Sequence, residues 1–168
     1  KHHLQRMTPK EILHQYWGYD GFRPMQEEII SAVLTGKDTL AILPTGGGKS
    51  ICFQVPAMAM DGLCLVISPL IALMQDQINQ LENKNIPVAG IYAGMPYATV
   101  KSTLQKAAGG EYKFLYVSPE RLETRLFGEY LPYLPIKLIA VDEAHCISQW
   151  GYDFRPAYLT IAAIRKQK

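Results

Sequence analysis

Five short apolar runs punctuate an otherwise mixed chain: TLAIL at 39–43, LCLVI at 63–67, a weaker VAGIY at 88–92, FLYV at 114–117 and LIAV at 138–141. None shows the strict apolar-polar alternation of a strand with one wet face. Uninterrupted runs of this length suit parallel strands covered on both sides. Between them lie helical stretches that begin near Gly48, Pro69, Pro96 and Pro119. Upstream, Thr8-Pro9-Lys10-Glu11 has the form of a capping box, a hydroxyl followed three residues later by glutamate with proline at the first turn, and predicts a helix to about Trp17. After the turn at Gly18 to Gly21, Pro24 opens a second predicted helix with an apolar face of Ile29, Ile30, Val33 and Leu34, closed by Gly36-Lys37-Asp38. Ala107 to Gly110 and Leu131 to Pro135 read as loops. Strands alternating with helices predict an α/β fold, doubly wound, with a mainly parallel sheet and helices on both faces.

Length and composition narrow this only slightly. The 168 residues are enough for one domain with a real core, and 48% hydrophobic against 19% charged residues is ordinary globular usage. Residues 1–6, KHHLQR, are expected to be a non-native remnant or a disordered terminus, with one domain over 7–168. A net charge of +2 excludes a broad basic footprint, so any polyanion site must be local. Cys52, Cys64 and Cys146 show no metal-ligand spacing and read as reduced thiols of a cytoplasmic protein. No apolar run reaches the about 18 residues of a membrane span, so no membrane partner is expected.

The chemistry concentrates in two places. Between the first run and the following helix stand Gly46, Gly47, Gly48, Lys49 and Ser50. Glycines let successive N–H groups turn toward phosphate oxygens, and a helix start adds partial positive charge. Lys49 would reach the terminal phosphates and the Ser50 hydroxyl would bind Mg²⁺. Leu43 stands where the common form of this motif has its first glycine. A glycine-rich turn with an unrelated lysine is the alternative. At the end of LIAV come Asp142 and Glu143, placed as a metal-side carboxylate and a carboxylate that orients the attacking water; in isolation a solvated acidic turn would explain them better, but together with the glycine-rich loop it does not.

Taken together, FRPMQEEII, PTGGGKS, SPLIALMQDQ, YVSPERL and DEAHCISQWGYDFRP resemble the first RecA-like lobe of the RecQ-type ATP-dependent DNA helicases of superfamily 2, in order from about Leu13 to Leu159. The resemblance implies an ATP- and Mg²⁺-dependent motor that moves 3′ to 5′ on single-stranded DNA and opens duplex and branched DNA in recombination and repair. By it, Tyr19, Arg23 and Gln26 form the adenine pocket, and Thr45, Gly46, Gly47, Gly48, Lys49 and Ser50 the phosphate site. Ser50 and Asp142 serve the metal, Lys49, Asp142 and Glu143 the catalysis, and His145 a relay toward the DNA side. Ser68, Pro69 and Gln75, the helix with Gln77, and Ser118 and Arg121 fall on segments that touch DNA. Ordinary helix capping is the competing explanation for them. Gln149, Trp150, Tyr152, Phe154 and Arg155 fall on a loop that senses single-stranded DNA, where aromatic stacking suits any base sequence; core packing is the other role open to the aromatics. Trp17 and Tyr152 depart from the commoner phenylalanine and histidine.

The same resemblance places a Ser-Ala-Thr strand and a second RecA-like lobe bearing an arginine beyond Lys168. That strand would lie between the first-run and DEAH strands, so the sheet is expected to be open at its centre and the 168 residues to bind nucleotide without unwinding DNA. A cytoplasmic, nucleoid-associated location follows if the source is bacterial. An RNA-acting or switch-like superfamily 2 ATPase and a small-molecule phosphate-loop enzyme are the alternatives.

Overall fold

The computed structural model describes residues 7–35, 40–42 and 49–142. Thr8 begins helix α1 (Pro9–Ile12) through the expected capping box: the Glu11 N–H donates to Thr8 Oγ1 at 3.2 Å and the Thr8 N–H to Glu11 Oε1 at 2.8 Å. The coil continues as a π-turn over Leu13–Trp17 and stops at Gly18, whose φ of 75° only glycine adopts freely. Helix α2 is Gln26–Thr35. It starts two residues after the expected Pro24, because Met25 takes a left-handed φ of 76° that no helix accommodates.

Five parallel strands follow in alternation with helices. They are β1 (Leu40–Ile42), β2 (Leu63–Ile67), β3 (Val88–Ile91), β4 (Phe114–Val117) and β5 (Ile136–Val141). Helix α3 (Ile51–Ala59) joins β1 to β2, α4 (Ile71–Asn83) joins β2 to β3, and α5 (Tyr97–Ala108) joins β3 to β4. Two short helices, α6 (Pro119–Leu122) and α7 (Arg125–Tyr130), with a 3₁₀ turn at Leu131–Tyr133, lead into β5. Ala107 and Ala108, expected in a loop, instead end α5.

The sheet order is β1-β5-β2-β4-β3. Side chains alternate across it. Leu63, Leu65, Ile67, Leu115, Val117, Ile139 and Val141 pack against α5 and α7 on one face, and Cys64, Val66, Phe114, Tyr116, Leu138 and Ala140 against α3 and α4 on the other. A third cluster of Ile12, Leu13, Ile30, Ile51 and Val55 docks the N-terminal helices on α3. Both faces are covered, as the uninterrupted apolar runs require.

One expectation is corrected here. The sheet is not open at its centre: β1 pairs directly with β5, with Leu40 opposite Ile139, Ala41 opposite Ala140 and Ile42 opposite Val141. A gap between two parallel strands in mid-sheet would orphan a row of buried N–H and C=O groups, and direct pairing satisfies them.

Candidate nucleotide site

The β1–β5 pairing assembles the site. Ile42 lies beside Val141, so β1 ends next to the residue that precedes Asp142, at the carboxyl ends of the strands. In parallel α/β sheets this end carries the ligand. Asp142 prolongs β5 by donating its N–H to Ile67 O at 2.9 Å, and its residue is only 5% exposed. Lys49 and Ser50 form the turn that enters α3, with Ser50 at the N-cap and its carbonyl accepting from the Gln54 N–H at 2.8 Å.

A chain of buried and half-buried polar groups runs behind the carboxylate. Gln54 Nε2 donates to Tyr116 Oη at 3.1 Å, the Tyr116 hydroxyl donates to Gln77 Oε1 at 2.7 Å, and Gln77 Nε2 donates to Asp142 Oδ2 at 2.8 Å. Burial holds the Tyr116 phenol well above its ordinary pKa; the Gln54 bond pulls the other way and the Cys64 and Asp142 charges add to the rise. Gln77, expected on the helix that touches DNA, is half-buried and engages Tyr116 and Asp142. Its neighbours at helical spacing, Met74 and Leu81, are both buried. Gln54 and Tyr116 were not anticipated. The available signals were a lone glutamine in the apolar helix ICFQVPAMA and a phenol in a strand covered on both faces, which needs a partner.

Among the described residues no group of three or more His, Cys, Asp and Glu side chains could hold a metal. Among the described residues Asp142 supplies a carboxylate at this strand end and Ser50 a hydroxyl at the start of α3, hard oxygen donors of the kind that suit Mg²⁺ sharing its shell with nucleotide phosphates and water. Asp142 and Ser50 fit such an ion, which would neutralise phosphate charge.

The three residues expected to take adenine lie within the described residues. Gln26 is buried and its Oε1 accepts from the Arg23 N–H at 2.8 Å, so its carbonyl already shapes the chain that precedes α2. Arg23 is exposed and Tyr19 is 52% exposed, leaving flat faces available for stacking. The left-handed Met25 between Arg23 and Gln26 is a strained position of the kind found at ligand sites.

The residues expected on DNA separate. Ser68 and Ser118, at the ends of adjacent strands, are each 1% exposed, and neither hydroxyl has a hydrogen-bond partner. In this conformation they present nothing to a phosphate. Their backbone N–H groups are also engaged, with Val117 O and Ile91 O. Arg121 is turned onto the loop after β3, where Nε donates to Tyr92 O and Nη2 to Met95 O, both at 3.1 Å. Gln75 is exposed and donates to Tyr92 Oη at 3.2 Å. Leu70 and Leu73, at 39% and 41% exposure beside Pro69, form the apolar edge of this face. Thr45, Gly46, Gly47, Gly48, Glu143, His145, Gln149, Trp150, Tyr152, Phe154 and Arg155 lie outside the described residues.

The sequence profile of the DEAD/DEAH box helicases matches residues 23–168. The chain belongs to the DEAD/DEAH box helicase family. Among curated members it is 43% identical over 162 residues to the ATP-dependent DNA helicase RecQ of Haemophilus influenzae, covering 96% of this chain and 26% of that protein. It is 45% identical over 163 residues to the RecQ of Synechocystis sp., covering 96% of this chain and 34% of that protein. The chain thus spans about a quarter to a third of the length of these helicases. Of solved structures, a hypothetical ATP-dependent RNA helicase from Sulfolobus tokodaii superposes with a TM-score of 0.70 at 20% identity, covering 96% of this chain and 47% of that one. The helicase MrfA, which has also been solved with DNA and AMPPNP, superposes in its unbound form with a TM-score of 0.70 at 16% identity, over 98% of this chain and 27% of that one. These two likenesses show the helicase fold and nothing finer. Among the described residues no helix is long and apolar enough to cross a membrane.

Proposed function

We propose that this chain is the nucleotide-binding lobe of an ATP-dependent DNA helicase of the RecQ type, working on single-stranded and branched DNA in the cytoplasm or on the nucleoid. The carrying observation is the meeting of Asp142 with the end of β1, from which the chain runs to Lys49 and Ser50. Lys49 neutralises the terminal phosphates, Ser50 and Asp142 hold Mg²⁺, and Tyr19, Arg23 and Gln26 take the adenine. Glu143 orients the attacking water, and His145 links it to the loop that carries Gln149, Trp150, Tyr152, Phe154 and Arg155. The DNA backbone runs over the edge formed by Pro69 and Gln75. Turnover at helicase rates needs a second RecA-like lobe whose arginine stabilises the transferring phosphoryl group, a contribution of about 10³- to 10⁵-fold.

Two binding titrations test this on the 168-residue chain. A fluorescent ATP analogue with Mg²⁺ is expected to bind, with Lys49→Ala weakening it about 10- to 100-fold through loss of a charge-assisted contact. A single-stranded DNA oligonucleotide is expected to bind with an affinity that falls as salt rises and that exceeds its RNA counterpart. Nucleotide affinity indifferent to Lys49→Ala, or no preference for DNA over RNA, would overturn the proposal.

A further inference from the structure

The polar chain behind Asp142 has a defined direction. An ionised carboxylate only accepts, so the amide nitrogen of Gln77 faces Oδ2 and its carbonyl faces Tyr116. The Tyr116 hydroxyl must then donate, which leaves its lone pair to accept from Gln54. All three donors point toward Asp142, and in a low-dielectric interior each bond polarises the next. Gln54, Tyr116 and Asp142 are all buried. Gln54 sits on α3 one turn after Ser50, so the chain ties the helix that carries one metal-side oxygen to the carboxylate that carries the other.

We infer that Gln77 is a positioning residue for Asp142: its amide holds Oδ2 and fixes the orientation in which the carboxylate would receive a nucleotide-bound Mg²⁺, while Tyr116 and Gln54 hold the Gln77 amide in place. Its half-buried place on α4, at helical spacing from the buried Met74 and Leu81, turns its amide toward the nucleotide site. Partners of metal-ligating carboxylates act this way generally, fixing the ligand without touching the ion. This inference rests on the reading of Asp142 as the metal-side carboxylate.

The test is the Mg²⁺ midpoint for binding a fluorescent ATP analogue, read on the 168-residue chain, with affinity in EDTA as the internal reference. Gln77→Met keeps the length and volume but removes the donor. It is expected to raise the Mg²⁺ midpoint about 10-fold, at the lower end of what outer partners of metal ligands contribute, with EDTA affinity unchanged. Tyr116→Phe removes only the hydroxyl that anchors Gln77 and is expected to raise the midpoint in the same direction by a smaller factor. In the double variant Tyr116→Phe adds nothing, because its effect passes through Gln77. Should Gln77→Met lose its cooperative melt, Tyr116→Phe decides alone. A midpoint unmoved by the folded variants overturns the inference. So does an equal loss of affinity with and without Mg²⁺, which marks a merely structural role. Lys49→Ala separates the two readings. If it weakens binding while Gln77→Met and Tyr116→Phe leave the midpoint alone, only the positioning role falls; if it leaves binding intact, the nucleotide site itself falls and the positioning role with it.

Discussion

Single residues do different work here from what their type suggests. Arg121, a cation beside a candidate DNA face, spends its guanidinium on two carbonyls of the loop after β3. Gln77 and Tyr116, two uncharged groups, determine how an acid is presented. Lys49, Ser50 and Asp142 could be singled out from sequence because the glycine run before a helix and the carboxylates at a strand end occur together, while either alone has an ordinary structural explanation. The support behind Asp142 was not, since its members at 54, 77, 116 and 142 meet only once strand order is known. Burial also predicts an alkaline weakness. The phenol of Tyr116 and the thiol of Cys64 are both held well above their ordinary pKa values, chiefly by desolvation. The unfolded chain releases these protons near their usual values, about 8.5 for thiol and 10 for phenol. Above that range the unfolded state holds fewer protons than the folded one, so stability falls as pH rises. Urea melts should show stability declining beyond about pH 9, and declining less steeply in Tyr116→Phe; a flat profile between about pH 8.5 and 10.5 would contradict this.

Among the elements, the strands were readable as continuous apolar runs and the first helix as a capping box. Their order was not, because a strand buried on both faces carries no mark of its neighbours. The direct β1–β5 pairing therefore emerges only in the fold. The start of α2 was misplaced because the left-handed turn at Met25 has no sequence signature comparable to glycine. Gly62 shows the opposite case, a glycine demanded by its element. It precedes β2 at φ 102°, and a Cβ there would lie 2.8 Å from Pro135 O and 2.5 Å from Lys137 Cγ at the head of β5. The same corner is tied by Lys113, whose Nζ donates to the carbonyls of Met60 and Gly62. Gly62→Ala should cost about 1 to 3 kcal/mol, a drop in melting temperature of about 2 to 4 °C per kcal/mol for a domain of this size. An unchanged melt would show that the β2–β5 corner can relax.

At the scale of the whole molecule, a parallel sheet brings two segments nearly a hundred residues apart to one edge, and the buried network of α3, β4 and α4 steadies what stands there. The chain belongs to the DEAD/DEAH box helicases, and the strand-end geometry supports the proposed metal-assisted nucleotide site at that edge. The direct measurement is the affinity of the 168-residue chain for a fluorescent ATP analogue as Mg²⁺ is raised, in wild type and in Asp142→Asn. The wild type is expected to tighten about tenfold or more as Mg²⁺ saturates, and Asp142→Asn to lose most of that gain while keeping its metal-free affinity. Affinity that ignores Mg²⁺, or an Asp142→Asn curve that overlays the wild type, would contradict the assignment of this strand end as the catalytic edge.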